Sequence, residues 1–328
     1  MINIFKALNP LNILRLLLVL LALRGVYWYN APEKLEFAFS GVYSRLLLPY
    51  SSHYPFPSGV NIILTAAIVF IQALLLNYLV NNYNLLGKPT LLPALMYVTV
   101  SAIFMPFLVL SPALICNFLI IAALFKLLNL YKTKDAISTT YDLGLIVAIG
   151  AIIYIPFIYF FLIIWIGLII FRPIIWREFL APVIGFLTVF FFLAVYYYLN
   201  NQLGQFYEIW KPLATQLNGR ININFYNYLV LIPIVLILLL CIVKIQQNFF
   251  RSYVQIRKSF QLIFVLFLLS LFSVYVRAAF NLNHFILCAV SVSVFFSYYF
   301  LNAKQKWFYE SLYFVLILCI IYFQFNTF

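Results

Sequence analysis

The chain has 328 residues, of which 66% are hydrophobic and only 8% charged, with a mean hydropathy of +1.07 and a formal net charge of +13. Soluble domains carry about 25% charged residues, so this composition excludes a water-soluble globular enzyme and makes the bilayer the solvent. The basic residues sit singly at the ends of apolar runs, where topology and lipid headgroups account for them, and no nucleic-acid partner is expected.

The first apolar run lacks a small-residue cleavage site after it and reads as a retained helix near 11–29. Runs long enough for a hydrocarbon core of about 30 Å then predict helices near 59–80, 91–110, 112–131, 143–157 and 158–171. More follow near 179–199, 226–245, 260–276, 285–301 and 311–327. The stretch 143–171 is too long for one span and short for two, with Pro156 at its centre as a natural break. Counting two passes there places thirteen basic residues on one side, against five (Lys34, Arg45, Lys211, Arg220, Arg277) on the other. The positive-inside rule then predicts about eleven spans, with the N-terminus cytoplasmic and the C-terminus periplasmic. The expected fold class is all-α, a polytopic transmembrane helix bundle forming a single transmembrane domain over 1–328.

Two outer segments, 30–58 and 200–225, are long enough to suggest a functional role. Their aromatic, aliphatic and isolated charged residues predict short interfacial helices over 33–48 and 205–216. The four cysteines, Cys116, Cys241, Cys288 and Cys319, all fall inside apolar runs without CxxC spacing, and read as small buried hydrophobes.

Seven acidic residues make the chemical inventory short. Asp135, Asp142, Glu178 and Glu310 fall on the inner side beside basic residues or helix ends, and read as caps and dipole partners. Glu208 lies in the second long outer segment. Glu33 and Glu36 follow the first helix, three apart, and would share a face of a helix. A carboxylate just beyond the bilayer suits deprotonation of an acceptor hydroxyl or the holding of a divalent metal. A solvated helix N-terminus behind Pro32 explains the same pair. His53 and His284 fall on the outer side, too few for a zinc site. His284 follows Arg277 by seven residues, and an anionic headgroup or lipid phosphate fits between them. Arg24 lies inside the first span and either snorkels outward or faces an acid or a phosphate. The chain has no P-loop, GxSxG, HExxH or dinucleotide fingerprint.

The stretch Tyr131–Leu199 opens with YKTKDAISTTYD and continues LGLIVAIGAIIYIPFIYFFLIIWIGLIIFRPIIWREFLAP. Together with NHFILCAVSVSVFFSYYF and KQKWFYESLYF, it resembles an uncharacterised family of Bacteroidota inner-membrane proteins, over essentially the whole chain. Members have often been labelled β-carotene monooxygenases; that chemistry uses four iron-binding histidines, and this chain has two. More loosely, the arrangement is similar to the GT-C glycosyltransferases, which transfer sugars from polyprenyl-phosphate donors at the outer face. That resemblance implies Glu36 or Glu33 as the catalytic acid and Arg24, Arg277 and His284 as lipid-phosphate ligands. It requires no cofactor beyond an optional divalent metal. The first outer segment carries ExxE where the family pattern has DxD or ExD. The alternative is a non-catalytic membrane subunit of a cell-envelope machine, in secretion, translocation or polysaccharide assembly. Its partners would be other envelope membrane proteins as well as membrane lipids; transport or lipid handling is a third reading.

Overall fold

A computed structural model of the chain describes residues 1–29, 57–131, 133, 135–208, 210, 225–248, 252–276 and 282–325. The described residues are helical throughout, with no strand among them. In chain order the α-helices are α1 (Ile2–Phe5), α2 (Leu11–Tyr29), α3 (Ser58–Asn82), α4 (Leu92–Val100) and α5 (Pro112–Asn129). Then come α6 (Ile137–Ile153), α7 (Phe161–Phe171), α8 (Trp176–Leu199), α9 (Leu203–Glu208) and α10 (Phe225–Asn248). Last are α11 (Val254–Phe272), α12 (Ala289–Asn302) and α13 (Lys306–Phe325). Each helix satisfies its own backbone hydrogen bonds, which suits long, continuously apolar runs to a bilayer.

Five described stretches are long and apolar enough to cross a membrane: Ser58–Asn82, Pro112–Asn129, Trp176–Leu199, Val254–Phe272 and Leu282–Asn302. The apolar helices Ile137–Ile153, Ile155–Phe171 and Ile232–Asn248 are shorter. Fewer spans are clear-cut than the eleven expected, and prolines supply the physical reason in two places. The helix expected over 91–110 ends at Val100; the chain turns, extends at Phe104 and resumes as a 3₁₀ turn, Met105–Leu108, with Pro106 in it. Pro106 has no N–H to continue the ladder. In 143–171 the helix stops at Ile153, Tyr154 is extended, and a 3₁₀ segment, Ile155–Phe160, carries Pro156. At 1.5 Å per residue, the eleven-residue α7 rises only about 16 Å. Further 3₁₀ segments, Ser273–Val276 and Leu282–Cys288, end α11 and lead into α12.

α12 is the buried axis: every residue from Ala289 to Phe300 is inside, with Ser291, Ser293 and Ser297 bonding their hydroxyls back to carbonyls of the same turn. α8 is peripheral and leaves Phe191, Phe192, Tyr196 and Tyr198 exposed. It meets α6 through two glycines, in reciprocal fashion. A Cβ at Gly144 would collide with the Pro182 carbonyl, and one at Gly185 with the Tyr141 carbonyl. Small residues that let helix backbones touch are the usual packing device where lipid removes a hydrophobic driving force.

The bundle has two chemically different ends. At one, Lys126 Nζ binds Asp142 Oδ2 at 2.8 Å, and Arg172 Nη2 binds Glu178 Oε1 at 2.8 Å. The Met1 amino group faces Glu310 at 3.9 Å, and Lys6 lies 4.4 Å from the Tyr309 ring centroid. Tyr83 donates to the Phe125 carbonyl, and Leu91 N–H to the Phe5 carbonyl, tying these helix ends together. All three ion pairs among the described residues lie at this end. The other end gathers the start of α3 and α5, the close of α2 and α13 (Gln324 Nε2 to the Leu23 carbonyl, 2.7 Å), and the 3₁₀ breaks after α6 and α11. It holds buried polar side chains instead of ion pairs.

Candidate functional site

Helix breaks free backbone groups inside an apolar bundle, and each must find a partner there. Around the break between α4 and α5, side chains supply several. Asn61 Oδ1 accepts from Leu110 N–H at 2.9 Å, and the Ser111 hydroxyl caps α5 by accepting from Leu114 N–H at 3.3 Å. Gln72 Nε2 donates to the Leu114 carbonyl at 2.7 Å. The Tyr97 hydroxyl donates to Gln72 Oε1 at 2.7 Å and accepts from Asn117 Nδ2 at 3.0 Å. Asn117 also reaches the Ile286 carbonyl at 3.0 Å, in the segment leading to α12.

Arg24 joins this cluster from α2. Its side chain is 3% exposed, so it does not snorkel; Nη1 reaches the Leu108 carbonyl only at 3.5 Å and Nη2 has no partner. Tyr97 lies within its electrostatic reach. No carboxylate among the described residues pairs with it. A buried guanidinium without a counter-ion is among the most costly groups a bilayer-embedded fold can carry. Asn61 Nδ2 and Asn117 Oδ1 are likewise unpartnered and buried. The cluster therefore offers one strong cation and extra hydrogen-bonding capacity, a setting that favours an anion.

His284 is 1% exposed, and its ring is held on both sides. Nδ1 lies 2.7 Å from the Tyr154 hydroxyl; Nε2 lies 2.8 Å from Ser273 Oγ and 3.1 Å from the Ser270 carbonyl. The carbonyl can only accept, and Ser273 Oγ already donates to that carbonyl. Both contacts make Nε2 the protonated nitrogen, with Nδ1 accepting from Tyr154. The histidine thus clamps the breaks that close α6 and α11, deeper in the fold than the interfacial position expected for it. Through Ile286, two residues on, it is linked to Asn117 and so to the Arg24 cluster.

Of the other expected site residues, Glu33, Glu36, His53 and Arg277 lie outside the described residues, as does all of the first expected interfacial helix, 33–48. Of the second, 205–216, the described part is the end of α9 and Trp210, whose ring packs against Phe190 at 4.9 Å between centroids. Cys116, Cys241 and Cys288 are buried and free, in keeping with their reading as hydrophobes. No group of three metal-ligating side chains occurs among the described residues. Sequence reasoning singled out Arg24 but missed Gln72, Tyr97, Asn61 and Asn117. The signal was available: Gln72 and Asn117 each stand in mid-run among aliphatic residues, where a polar side chain needs a partner.

A helical bundle with apolar spans, a charged end and buried polar groups at the other defines a multi-pass membrane protein. Residues 53–328 match DUF6427, a family of unknown function, and the chain belongs to that family. No curated protein and no solved structure matches the chain. The matched part contains Arg277 and His284 and begins beyond Arg24, Glu33 and Glu36.

Proposed function

We propose that the protein is a bacterial inner-membrane transferase of GT-C-like arrangement, moving a sugar from a polyprenyl-phosphate-linked donor at the outer face. On this reading the charged end faces the cytoplasm, which the excess of basic residues expected there supports, and the Arg24 cluster lies in the outer leaflet. The N-terminus is then cytoplasmic, the C-terminus periplasmic, and the full set of spans about eleven. The observation that carries the reading is the buried guanidinium of Arg24, which pairs with no carboxylate among the described residues. It sits one turn from the end of α2, next to the segment that bears Glu33 and Glu36. Arg24 would hold a donor phosphate oxygen with its forked donors, and Arg277 would add a second positive charge. Glu36 would take the acceptor hydroxyl proton. Its neighbour Glu33 is nearer the helix start, where a dipole explains it.

The exposed aromatic face of α8 (Phe191, Phe192, Tyr196 and Tyr198) favours a second reading. There the chain is a non-catalytic subunit of an envelope machine and docks its partner along α8. Separate Arg24→Gln and Glu36→Gln variants at normal membrane abundance divide the two. On the first reading Arg24→Gln lowers glycan transfer by about 10- to 100-fold, the worth of a hydrogen bond to a charged group, and Glu36→Gln abolishes it. Wild-type transfer in both variants, with partner proteins lost on Tyr196→Ala, would establish the subunit reading in its place.

A further inference from the structure

A groove of about 630 Å³ opens at the charged end of the bundle, between α1 and the first half of α13, and nothing in the transferase reading uses it. α1 is pinned beside it: the Tyr309 hydroxyl donates to Asn3 Oδ1 at 2.6 Å, and Lys6 lies over the Tyr309 ring. The lining changes character along α13. Lys306, Trp307 and Glu310 stand at the mouth, Phe314 and Ile317 follow on later turns, and Ile2 forms the opposite wall. Residues three and four apart share a helix face, so Lys306, Glu310, Phe314 and Ile317 form one row. From Glu310 to Ile317 that row rises about 10 Å.

We propose that this groove binds a phospholipid with a primary amine in its headgroup, phosphatidylethanolamine. The phosphate sits at Lys306, the ammonium at Glu310, and an acyl chain lies over Phe314 and Ile317. Charge complementarity selects this occupant. The mouth presents a cation and a carboxylate one turn apart, with Cβ atoms about 5–6 Å from each other, and the headgroup carries an anion and a cation joined by an ethylene bridge. The Met1 amino group faces Glu310 Oε2 at 3.9 Å, longer than the roughly 2.7–2.9 Å of a charge-assisted hydrogen bond, so the part-exposed carboxylate has room for a closer donor. Lys306 joins none of the ion pairs among the described residues. Lysine ahead of an acid is also the weaker order for a pair within one helix. The Trp307 indole, 84% exposed, adds an aromatic face for the ammonium. An anionic lipid without an amine would set a phosphate against Glu310 with no cation between them. A water-soluble amine would leave the Phe314 ring, 61% exposed, uncovered.

The test uses the purified full chain in a neutral maltoside detergent. Dioleoyl forms of phosphatidylethanolamine, phosphatidylcholine and phosphatidylglycerol are added separately, as is phosphoethanolamine alone. Thermal unfolding and native mass spectrometry provide the readouts. Phosphatidylethanolamine should raise the unfolding midpoint by about 3 °C or more and remain as a one-lipid adduct. Phosphatidylcholine, whose quaternary ammonium cannot donate to a carboxylate, should give less than half that shift. So should phosphatidylglycerol, which has no cation, and phosphoethanolamine, which has no chains. Glu310→Gln should erase the preference for phosphatidylethanolamine over phosphatidylcholine, while Glu310→Asp keeps part of it. Ile317→Trp, which fills the apolar end without touching the charges, should remove the adduct, and Glu310→Gln decides the matter if that variant fails to fold. Equal shifts from phosphatidylcholine or phosphatidylglycerol would overturn the proposal. So would a preference for phosphatidylethanolamine that survives Glu310→Gln.

Discussion

Two ion pairs at the charged end have the same 2.8 Å separation and very different surroundings. Arg172 and Glu178 are 9% and 3% exposed, and backbone groups share the pair: Arg172 Nη1 donates to the Thr133 carbonyl at 2.6 Å, and Glu178 Oε1 also accepts from Ala136 N–H at 3.3 Å. Lys126 and Asp142 are 36% and 41% exposed. A pair open to solvent contributes about 0–1 kcal/mol, whereas removing one partner of a buried pair strands a charge and costs about 3–5 kcal/mol. Arg172→Ala should therefore lower the unfolding midpoint in detergent far more than Lys126→Ala, and Arg172→Met combined with Glu178→Leu should recover most of the loss. Equal sensitivity of the two pairs in a thermal scan would show that Arg172–Glu178 is solvated. Glu178 was readable as a helix-start acid from its place after Arg177. Its pairing with Arg172 was not, because six residues of separation place no contact until the chain turns between α7 and α8.

In the polar cluster, Tyr97 is the hinge between Gln72 and Asn117. Tyr97→Phe leaves Gln72 Oε1 without a donor while keeping the ring's packing. An unsatisfied buried acceptor costs about 1–3 kcal/mol, so the variant should unfold at a lower temperature even though no volume changes. Tyr97→Phe combined with Gln72→Leu should be milder than the single substitution, and a double-mutant comparison of midpoints measures the difference. An additive result would mean that the two side chains do not interact. Gln72, Asn117 and Arg24 were each legible as polar residues in apolar runs. Their convergence was not, because it depends on how far α4 runs before it breaks.

Among elements, the contact of α6 with α8 rests on glycine more than on any side chain. Gly144 and Gly185 each face a backbone carbonyl of the other helix, and backbone cannot yield as the end of a side chain can. Gly185→Ala should separate the helices and cost more than the 1–3 kcal/mol or so typical of overpacking against side chains. Gly25→Ala in α2, where nothing among the described residues lies within 4 Å of the added Cβ, should instead be neutral or stabilise by up to about 1 kcal/mol through helix propensity. Trypsin resistance of the two variants in membranes would rank them, and an unaffected Gly185→Ala would mean that the crossing is looser than described. Pro156 made the α6–α7 break legible in advance. The shortening of α4 was signalled only by Pro106, which the expected helix 91–110 passed over because the apolar run continues through Ala102, Ile103 and Phe104 and hydropathy does not distinguish a helix from an extended apolar segment.

Across the whole molecule, the separation of ion pairs from buried polar groups says more than the number of spans. The connections at the charged end are short: nine residues join α3 to α4, four lie between α7 and α8, and three between α12 and α13, on the bounds of the helices. Segments of that length serve to turn the chain, while the two long segments, 30–58 and 200–225, leave from the other end. Short connections at the charged end and long segments leaving the other are what the positive-inside rule expects of cytoplasmic turns and outer segments. The arrangement predicts that a reporter fused at Lys134, between α5 and α6, is cytoplasmic, and one at Gln202, just beyond α8, is external. Phosphatase activity should appear only with the second fusion and fluorescence of a cytoplasm-dependent reporter only with the first. The α6–α7 break makes the experiment sharp. If Ile137–Phe171 crossed the membrane once as a single tilted segment, Lys134 and Gln202 would report the same side, because only α8 would then add a second crossing between them. With the chain reversing at Tyr154, three crossings separate the two positions and opposite sides are required.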